Sequence, residues 1–259
     1  MTGPLEISPW NLALTLLFVL VAQISSLVYK LKLERDLAIG TVRTFVQLLL
    51  MGYVLKFIFQ VQIAWLTLTV YAVMITAAAQ IIKGRVGEKS VPYLLPMYLS
   101  MMISYFLVSY MVTGVIISAS PWWLPQYFLP LGGMIIGNSM NALALALERL
   151  LADLRGGREQ VEMKLSLGAN YREASEDVVR RAIKAGMIPS INSLMGVGIV
   201  FIPGMMTGQI VAGADPLAAV RYQIVVMLML VASTTISTLM VVLLTRRRCF
   251  GEAQQLILS

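Results

Sequence analysis

Continuous apolar runs of about twenty residues recur along this chain, and no other feature constrains its fold so strongly. A helix of that length crosses a bilayer, whereas the strands of membrane barrels are shorter and alternate apolar with polar residues. Lipid cannot hydrogen-bond an exposed backbone, so each run must satisfy its own peptide groups as a helix. The sequence therefore predicts an all-α polytopic membrane protein in which residues 1–259 form a single transmembrane domain.

Seven spans are predicted from these runs and from the residues that flank them. Ser8 and Pro9 are typical of an N-cap and a first helical residue, and Asp36 is a candidate cap for the second span. Pro203 and Gly204 are expected to break the sixth span. The predicted spans cover residues 9–29, 38–58, 61–82, 94–117, 127–149, 187–212 and 219–245.

Basic residues predict the orientation of the spans. With the N-terminus outside, Lys56 and Arg221 alone among the 20 lysines and arginines lie toward the outer side. Because basic residues collect in cytoplasmic loops, we expect an outer N-terminus, a cytoplasmic C-terminus and a multi-pass protein of the cell's inner (plasma) membrane, in contact with lipid. The same rule accounts for the net charge of +7, so the charge gives no reason to expect nucleic-acid binding.

Residues 153–186, called here the polar insert, separate the fifth and sixth predicted spans with a charged stretch on the predicted cytoplasmic side. Gly168 divides the insert into a short helix at 159–167 and a second helix capped by Asn170 with Glu173. Both helices are amphipathic and too polar to span. Two ion pairs are expected at helical spacing: Glu176–Arg180 and Asp177–Arg181.

The segment EMKLSLGA at 162–169 resembles the cytoplasmic EAA loop of ABC-transporter permeases, in which a glutamate opens the motif and a glycine turns the chain. Met163 and Lys164 stand where that motif has alanines. The resemblance implies coupling helices that dock on a separate ATPase; lying on the bilayer or capping the bundle are alternatives. The implied ATPase-coupling residues are Glu162, Leu165, Leu167, Gly168, Ala169 and Tyr171.

Five segments carry a wider resemblance: RTFVQLLLMGYVL (43–55), GNSMNALALALERL (137–150), EMKLSLGA (162–169), FIPGMMTGQ (201–209) and GADPLAAVRYQ (213–223). Together they resemble the FetB-type permease family. The resemblance implies the membrane subunit of an ABC transporter associated with iron export, with plant relatives linked to aluminium tolerance. It also implies a cytoplasmic ATPase partner that binds ATP and Mg.

The chain itself lacks the sequence features of an ATPase. Its nearest approach to a phosphate-binding loop is GRVGEKS at 84–90, where Glu88 separates the glycine from the lysine. We therefore expect a transport subunit that is not an enzyme and has no cofactor of its own. Oligomers usually close with two-fold symmetry, so a second copy of the chain is the expected partner within the membrane.

Polar residues inside the spans are the candidates for a substrate pathway, because such residues normally face the bundle interior. Asn138, Asn141 and Glu148 share one stripe of the fifth span, and their oxygens suit a hard cation, with Glu148 as the candidate metal ligand. Alternatively, the asparagines bridge helices while Glu148 extends toward the membrane surface or pairs with Arg43.

Two further groups complete the pathway candidates. Arg43 and Gln47 share a face of the second span and suit either a substrate or a lipid headgroup. Methionines around the Pro203–Gly204 hinge suit a metal conduit or simple core packing, and the hinge itself suits either an unwound site or a kink. The candidates at the hinge are Met205, Met206 and Gln209.

A stand-alone secondary transporter or cation channel is the alternative to an ABC permease. In that case Glu148 binds a coupling ion, and no ATPase is required.

Overall fold

The structure is a computed structural model that describes residues 7–88 and 90–258, and helices dominate this part of the chain. Lys89, in the basic turn at 84–90, lies outside the described residues. Helix α5 continues directly into a π-helical turn at Met111–Ile116. The helices of the described residues are α1 (Pro9–Leu14), α2 (Leu16–Val28), α3 (Glu34–Val61), α4 (Ala64–Val86), α5 (Leu94–Tyr110), α6 (Pro125–Gly156), α7 (Arg158–Ser166), α8 (Tyr171–Ala174), α9 (Glu176–Gly196), α10 (Gly204–Val211) and α11 (Pro216–Arg248).

The all-α membrane fold is confirmed. Six helical segments are long and apolar enough to cross a bilayer, and they coincide with the first five predicted spans and the last. Ser8 caps α1 as expected, since its Oγ accepts a hydrogen bond from the Asn11 amide. The six segments are Pro9–Val28, Glu34–Val61, Ala64–Val86, Leu94–Ile116, Pro125–Gly156 and Pro216–Arg248.

The sixth span, predicted at 187–212 with a break at Pro203 and Gly204, is divided between two helices in the structure. Helix α9 instead runs from the polar insert through Pro189 to Gly196, so the second insert helix and the start of the predicted span form one rod. The chain then leaves helical geometry over 197–203, where Gly198 adopts φ +82°, a left-handed conformation that glycine tolerates. Helix α10 has 8 residues and is too short to cross a membrane.

Helix α6 lies at the centre of the bundle and packs against α4, α5, α9 and α11. Its buried face carries Leu143, Leu147, Leu150 and Leu154, which recur at helical spacing and are fully buried. Helix α9 approaches closely at Gly186, where an added Cβ would lie 2.8 Å from the Ala142 carbonyl oxygen. The core of the molecule therefore follows the buried face of α6.

Helices α1, α2 and α3 lie at the edge of the bundle. Helix α2 packs on α3, which touches α6 only lightly, and Ser26 and Ile58 are the buried residues that these helices contribute. The Ser26 hydroxyl donates to Glu34 Oε1 at 2.7 Å and accepts from the Leu33 amide at 3.1 Å. These bonds start α3 at Glu34, so the prediction of Asp36 as its cap is wrong.

Candidate functional site: a polar face of the bundle and a turn in the insert

The polar stripe predicted on the fifth span divides between two environments. Asn138 points into the bundle, where its Nδ2 donates to Ser190 Oγ at 3.2 Å and to Thr234 Oγ1 at 3.4 Å. Its neighbour Ser139 lies 3.2 Å from Ser233. This cluster joins α6, α9 and α11 through side-chain hydrogen bonds, so the bridging alternative is confirmed for Asn138.

Asn141 and Glu148 lie toward the less covered edge of the same stripe of α6. Glu148 Oε1 forms an ion pair with Arg85 Nε at 3.2 Å, and another nitrogen of the same guanidinium lies 3.5 Å from Asn141 Oδ1. The alternative in which Glu148 pairs with Arg43 is therefore wrong. The reason is packing, since α4 runs along α6 whereas α3 contacts it lightly.

The Arg85–Glu148 pair, together with Asn141, forms a polar face that remains open to the outside of the chain. The side chains of Arg85 and Glu148 are 51% and 36% exposed, and Asn141 is exposed as well. The Arg85 guanidinium contacts one oxygen, Oε1, of the Glu148 carboxylate. Residues 7–88 and 90–258 contain no group of three or more histidine, cysteine, aspartate or glutamate residues arranged to hold a metal.

Arg43 and Gln47 both lie on the exposed surface of α3, one turn apart. Their neighbours Val46 and Leu50 are large, exposed apolar residues. Arg43 forms no ion pair within the described part of the chain. The structure thus places these two polar side chains on a peripheral helix, away from the Arg85–Glu148 pair.

The break predicted at Pro203 and Gly204 is present, although the unwound residues precede it. Gly198 N–H donates to the Phe201 carbonyl at 2.9 Å, and the Pro203 carbonyl accepts from the amide and hydroxyl of Thr207. Several polar groups of this segment are thus satisfied by the chain itself. Whether Pro203 and Gly204 act as a hinge stays a prediction.

A cavity of about 370 Å³ lies between this unwound segment and α11. Met206 and Met227 line it together with Gln223, whose Oε1 is buried without a hydrogen-bond partner among the described residues. Gln209 has a similar buried oxygen, and Met205 packs against the core. Gln223 was not among the predicted site residues, although it closes the segment GADPLAAVRYQ.

The glycine turn of the polar insert has the predicted geometry. Gly168 adopts φ +97°, its amide donates to the Leu165 carbonyl, and the Ala169 amide donates to the Lys164 carbonyl. These two bonds form the Schellman motif that ends a helix in a left-handed residue. Asn170 and Glu173 then form the expected capping box at the start of α8. Leu167, at the tip of the turn, is 80% exposed.

A C-terminal segment, residues 249–258, packs against the insert and was not predicted as part of the site. Arg158 pairs with Glu162 at 2.7 Å and also donates to the Leu258 carbonyl at 3.0 Å. The ring of Tyr171 lies 5.6 Å from that of Phe250. A cleft of about 610 Å³ opens beside Gly168, between the turn and this segment. The sequence signal that could have predicted this packing is the apolar run at 256–258, which follows the basic end of α11.

Charge pairs stabilise the insert, with one exchange of partners. The expected Glu176–Arg180 pair is present. The prediction of an Asp177–Arg181 pair is wrong, because Lys164 binds Asp177 at 3.2 Å and Arg181 binds Asp153 at 2.9 Å. Hydrogen bonding to Lys164 is the main cause that lowers the pKa of Asp177. The exchanged partners tie α9 to α6 and α7, contacts that spacing within one helix cannot reveal.

Helices of membrane-crossing length around a buried α6, joined to a polar helical insert, define an all-α multi-pass membrane protein. A family model described as "Uncharacterised protein family (UPF0014)" matches residues 9–250. The chain belongs to this family.

Named relatives extend over most of the chain. "Probable iron export permease protein FetB" of Escherichia coli is 36% identical over 250 residues, which cover 96% of this chain and 95% of the relative. "UPF0014 membrane protein slr1647" of Synechocystis is 37% identical over 216 residues, 83% of each chain. "Protein ALUMINUM SENSITIVE 3" of Arabidopsis thaliana is 35% identical over 221 residues, 83% of this chain and 77% of the relative.

These relatives confirm the resemblance to the FetB-type family. The bacterial relatives, two of them named membrane proteins, support an inner-membrane location. No solved structure matches the chain.

Proposed function

We propose that this protein is the membrane-spanning permease subunit of an ABC transporter that exports iron or a related metal, driven by a separate cytoplasmic ATPase. Two relatives support a metal as the substrate, since one is named a probable iron export permease and another is named for aluminium sensitivity. ATP and Mg bind the partner subunit, and this chain itself catalyses no reaction.

The observation that carries this proposal is the exposed turn at Leu167 and Gly168. Leu167 is 80% exposed at the tip of a hydrogen-bonded turn outside the bundle, so its apolar side chain is accessible to a docking partner. The cleft beside Gly168 supplies a concave surface next to that leucine. An apolar tip beside a cleft suits the docking of a globular subunit, in the manner of the EAA loop.

Co-purification with the partner ATPase tests the docking role. We expect Leu167→Ser to reduce the bound ATPase by about tenfold, the effect of losing roughly 1.4 kcal/mol of apolar contact. Lys184→Ser is the matched control, because Lys184 is exposed on the same insert but lies on α9, away from the turn. Equal recovery of the ATPase with both variants would contradict docking at the turn.

A second copy of the chain completes the proposed pathway at the polar face of α6. Arg85, Asn141 and Glu148 are too polar to face lipid favourably, yet they remain partly exposed in the single chain. A two-fold axis along the membrane normal brings groups of equal depth together. Arg85 and Glu148 lie 3.2 Å apart and therefore at nearly the same depth. Across the two-fold axis, Arg85 of one copy can then pair with Glu148 of the other.

Reconstitution distinguishes the ABC permease from a stand-alone transporter or channel. We expect the purified chain in vesicles to move no iron under an ion gradient alone, and to move it when the ATPase and Mg-ATP are added. Iron movement by the chain without any ATPase would overturn the proposal and favour the secondary transporter.

A further inference from the structure

The cleft at the junction of α5, α11 and the C-terminal segment has a volume of about 680 Å³ and belongs to neither proposed surface above. One part of its lining is basic, from Arg247 and Arg248 at the end of α11. Another part is apolar and is formed by Leu95 and Leu99 of α5 with Leu244 of α11. These leucines are exposed in the chain. The cleft is therefore amphipathic.

The position of the cleft relative to the membrane follows from its two helices. The apolar span of α5 begins at Leu94, and that of α11 ends at Arg248. The ends of spans lie where hydrocarbon meets the headgroup layer. Leu99 and Leu244 each lie about one turn inside these ends, at the depth of acyl chains, whereas the two arginines lie at the depth of phosphates.

The arginines of the cleft have no carboxylate partner within the described residues. Glu252 lines the same cleft but forms no ion pair with Arg247 or Arg248 in residues 7–88 and 90–258. The other nearby acidic residue, Glu88, is already paired with Arg155 at 2.6 Å. Two guanidinium groups at headgroup depth thus remain available for an anion. A guanidinium group can donate two parallel hydrogen bonds to the oxygens of one phosphate.

We infer that this cleft binds an anionic phospholipid. The phosphate of the headgroup lies against Arg247 and Arg248, and an acyl chain covers Leu95, Leu99 and Leu244. Basic pockets between spanning helices commonly hold anionic headgroups in this way. The lipid fills the space under the C-terminal segment that packs on the polar insert, so its binding stabilises that contact.

Lipid titration of the full-length protein tests this site. Native mass spectrometry measures binding of dioleoylphosphatidylglycerol, with dioleoylphosphatidylcholine as the neutral comparison. We expect the double variant Arg247→Gln, Arg248→Gln to weaken phosphatidylglycerol binding by about 25-fold, because each arginine near the surface contributes about a fivefold factor. Replacing both arginines by lysine keeps the charge but not the paired hydrogen bonds, so we expect weaker binding than in the native protein and stronger binding than in the double glutamine variant.

Matched controls separate a built site from general charge attraction. Lys32→Gln with Arg35→Gln removes the same charge on the side of the membrane where α3 begins, outside the cleft, and is expected to leave the tight site unchanged. Leu99→Trp fills the apolar wall without changing charge, so it weakens lipid binding even if the arginine variant fails to fold.

Three results would overturn the inference. Equal phosphatidylglycerol binding by the native protein, the double arginine variant and Leu99→Trp excludes the cleft. Equal loss of binding in the Lys32–Arg35 control shows unspecific attraction. If millimolar inorganic phosphate displaces bound phosphatidylglycerol as well as added phosphatidylglycerol does, the cleft is a site for free anions instead.

Discussion

At the scale of single residues, the Arg85–Glu148 contact is the feature with the most direct chemical consequence. Both side chains are at least one third exposed, and such ion pairs contribute about 1 kcal/mol or less. The pair can therefore open at small cost when a competing cation arrives.

Replacing Glu148 by glutamine tests whether the carboxylate contacts the metal. We expect Glu148→Gln to lower metal-stimulated ATP hydrolysis of the reconstituted complex by about tenfold, the loss of roughly 1.4 kcal/mol of binding. Glu159→Gln on α7 is the control, since it removes an exposed carboxylate outside the predicted pathway. An unaltered metal response in Glu148→Gln would show that Glu148 does not contact the metal and serves only in its ion pair with Arg85.

Cys249 gives a second prediction at this scale, because it is the single cysteine of the chain and is fully buried. Burial raises the pKa of its thiol to about 12, so little thiolate exists at neutral pH. We expect maleimide labelling at pH 7.5 to be slow in the native protein and rapid after denaturation. Rapid native labelling would show that the C-terminal segment does not pack as described.

Local sequence predicted the ends of several elements well. The Ser8 cap, the Gly168 turn and the Asn170–Glu173 box depend on hydrogen bonds between residues a few positions apart. They can therefore be predicted from the local sequence. The partner of Glu148 and the course of α9 through Pro189 depend instead on how helices pack. Hydropathy and spacing carry no information on which helix lies beside which.

At the scale of elements, the turn between α7 and α8 makes a prediction about Gly168. A β-branched residue is strained at φ +97°, so Gly168→Val should disturb the turn and reduce ATPase binding while the bundle stays folded. Gly137→Ala is the control, since Gly137 lies within α6 and an added Cβ meets no atom within 4 Å. Full ATPase binding by Gly168→Val would show that the turn geometry is dispensable.

At the scale of the whole molecule, the uneven burial of the helices favours an assembly of two copies. Helix α6 is covered on several sides but leaves Asn141 and the Arg85–Glu148 pair uncovered. The sequence predicted a second copy only from the general symmetry of oligomers. The structure supports the choice of the α6 polar face, because that face combines exposure with polarity.

Cross-linking tests this face directly. In a Cys249→Ser background, we expect Asn141→Cys to give a covalent dimer with a short bis-maleimide in membranes. Leu243→Cys, exposed on α11, is the matched position on another face and should give little dimer. Dimer formation at Leu243 but not at Asn141 would place the interface elsewhere.

The unbroken course of α9 has a mechanical consequence. Gly186 lies midway between Glu176 and Gly196, where an added Cβ would come within 2.8 Å of the Ala142 carbonyl oxygen of α6. Each arm is about 15 Å long at 1.5 Å per residue. A tilt of α9 about this contact would move its two ends in opposite directions, so a displacement of the end beside the insert would displace the unwound residues at 197–203 the other way.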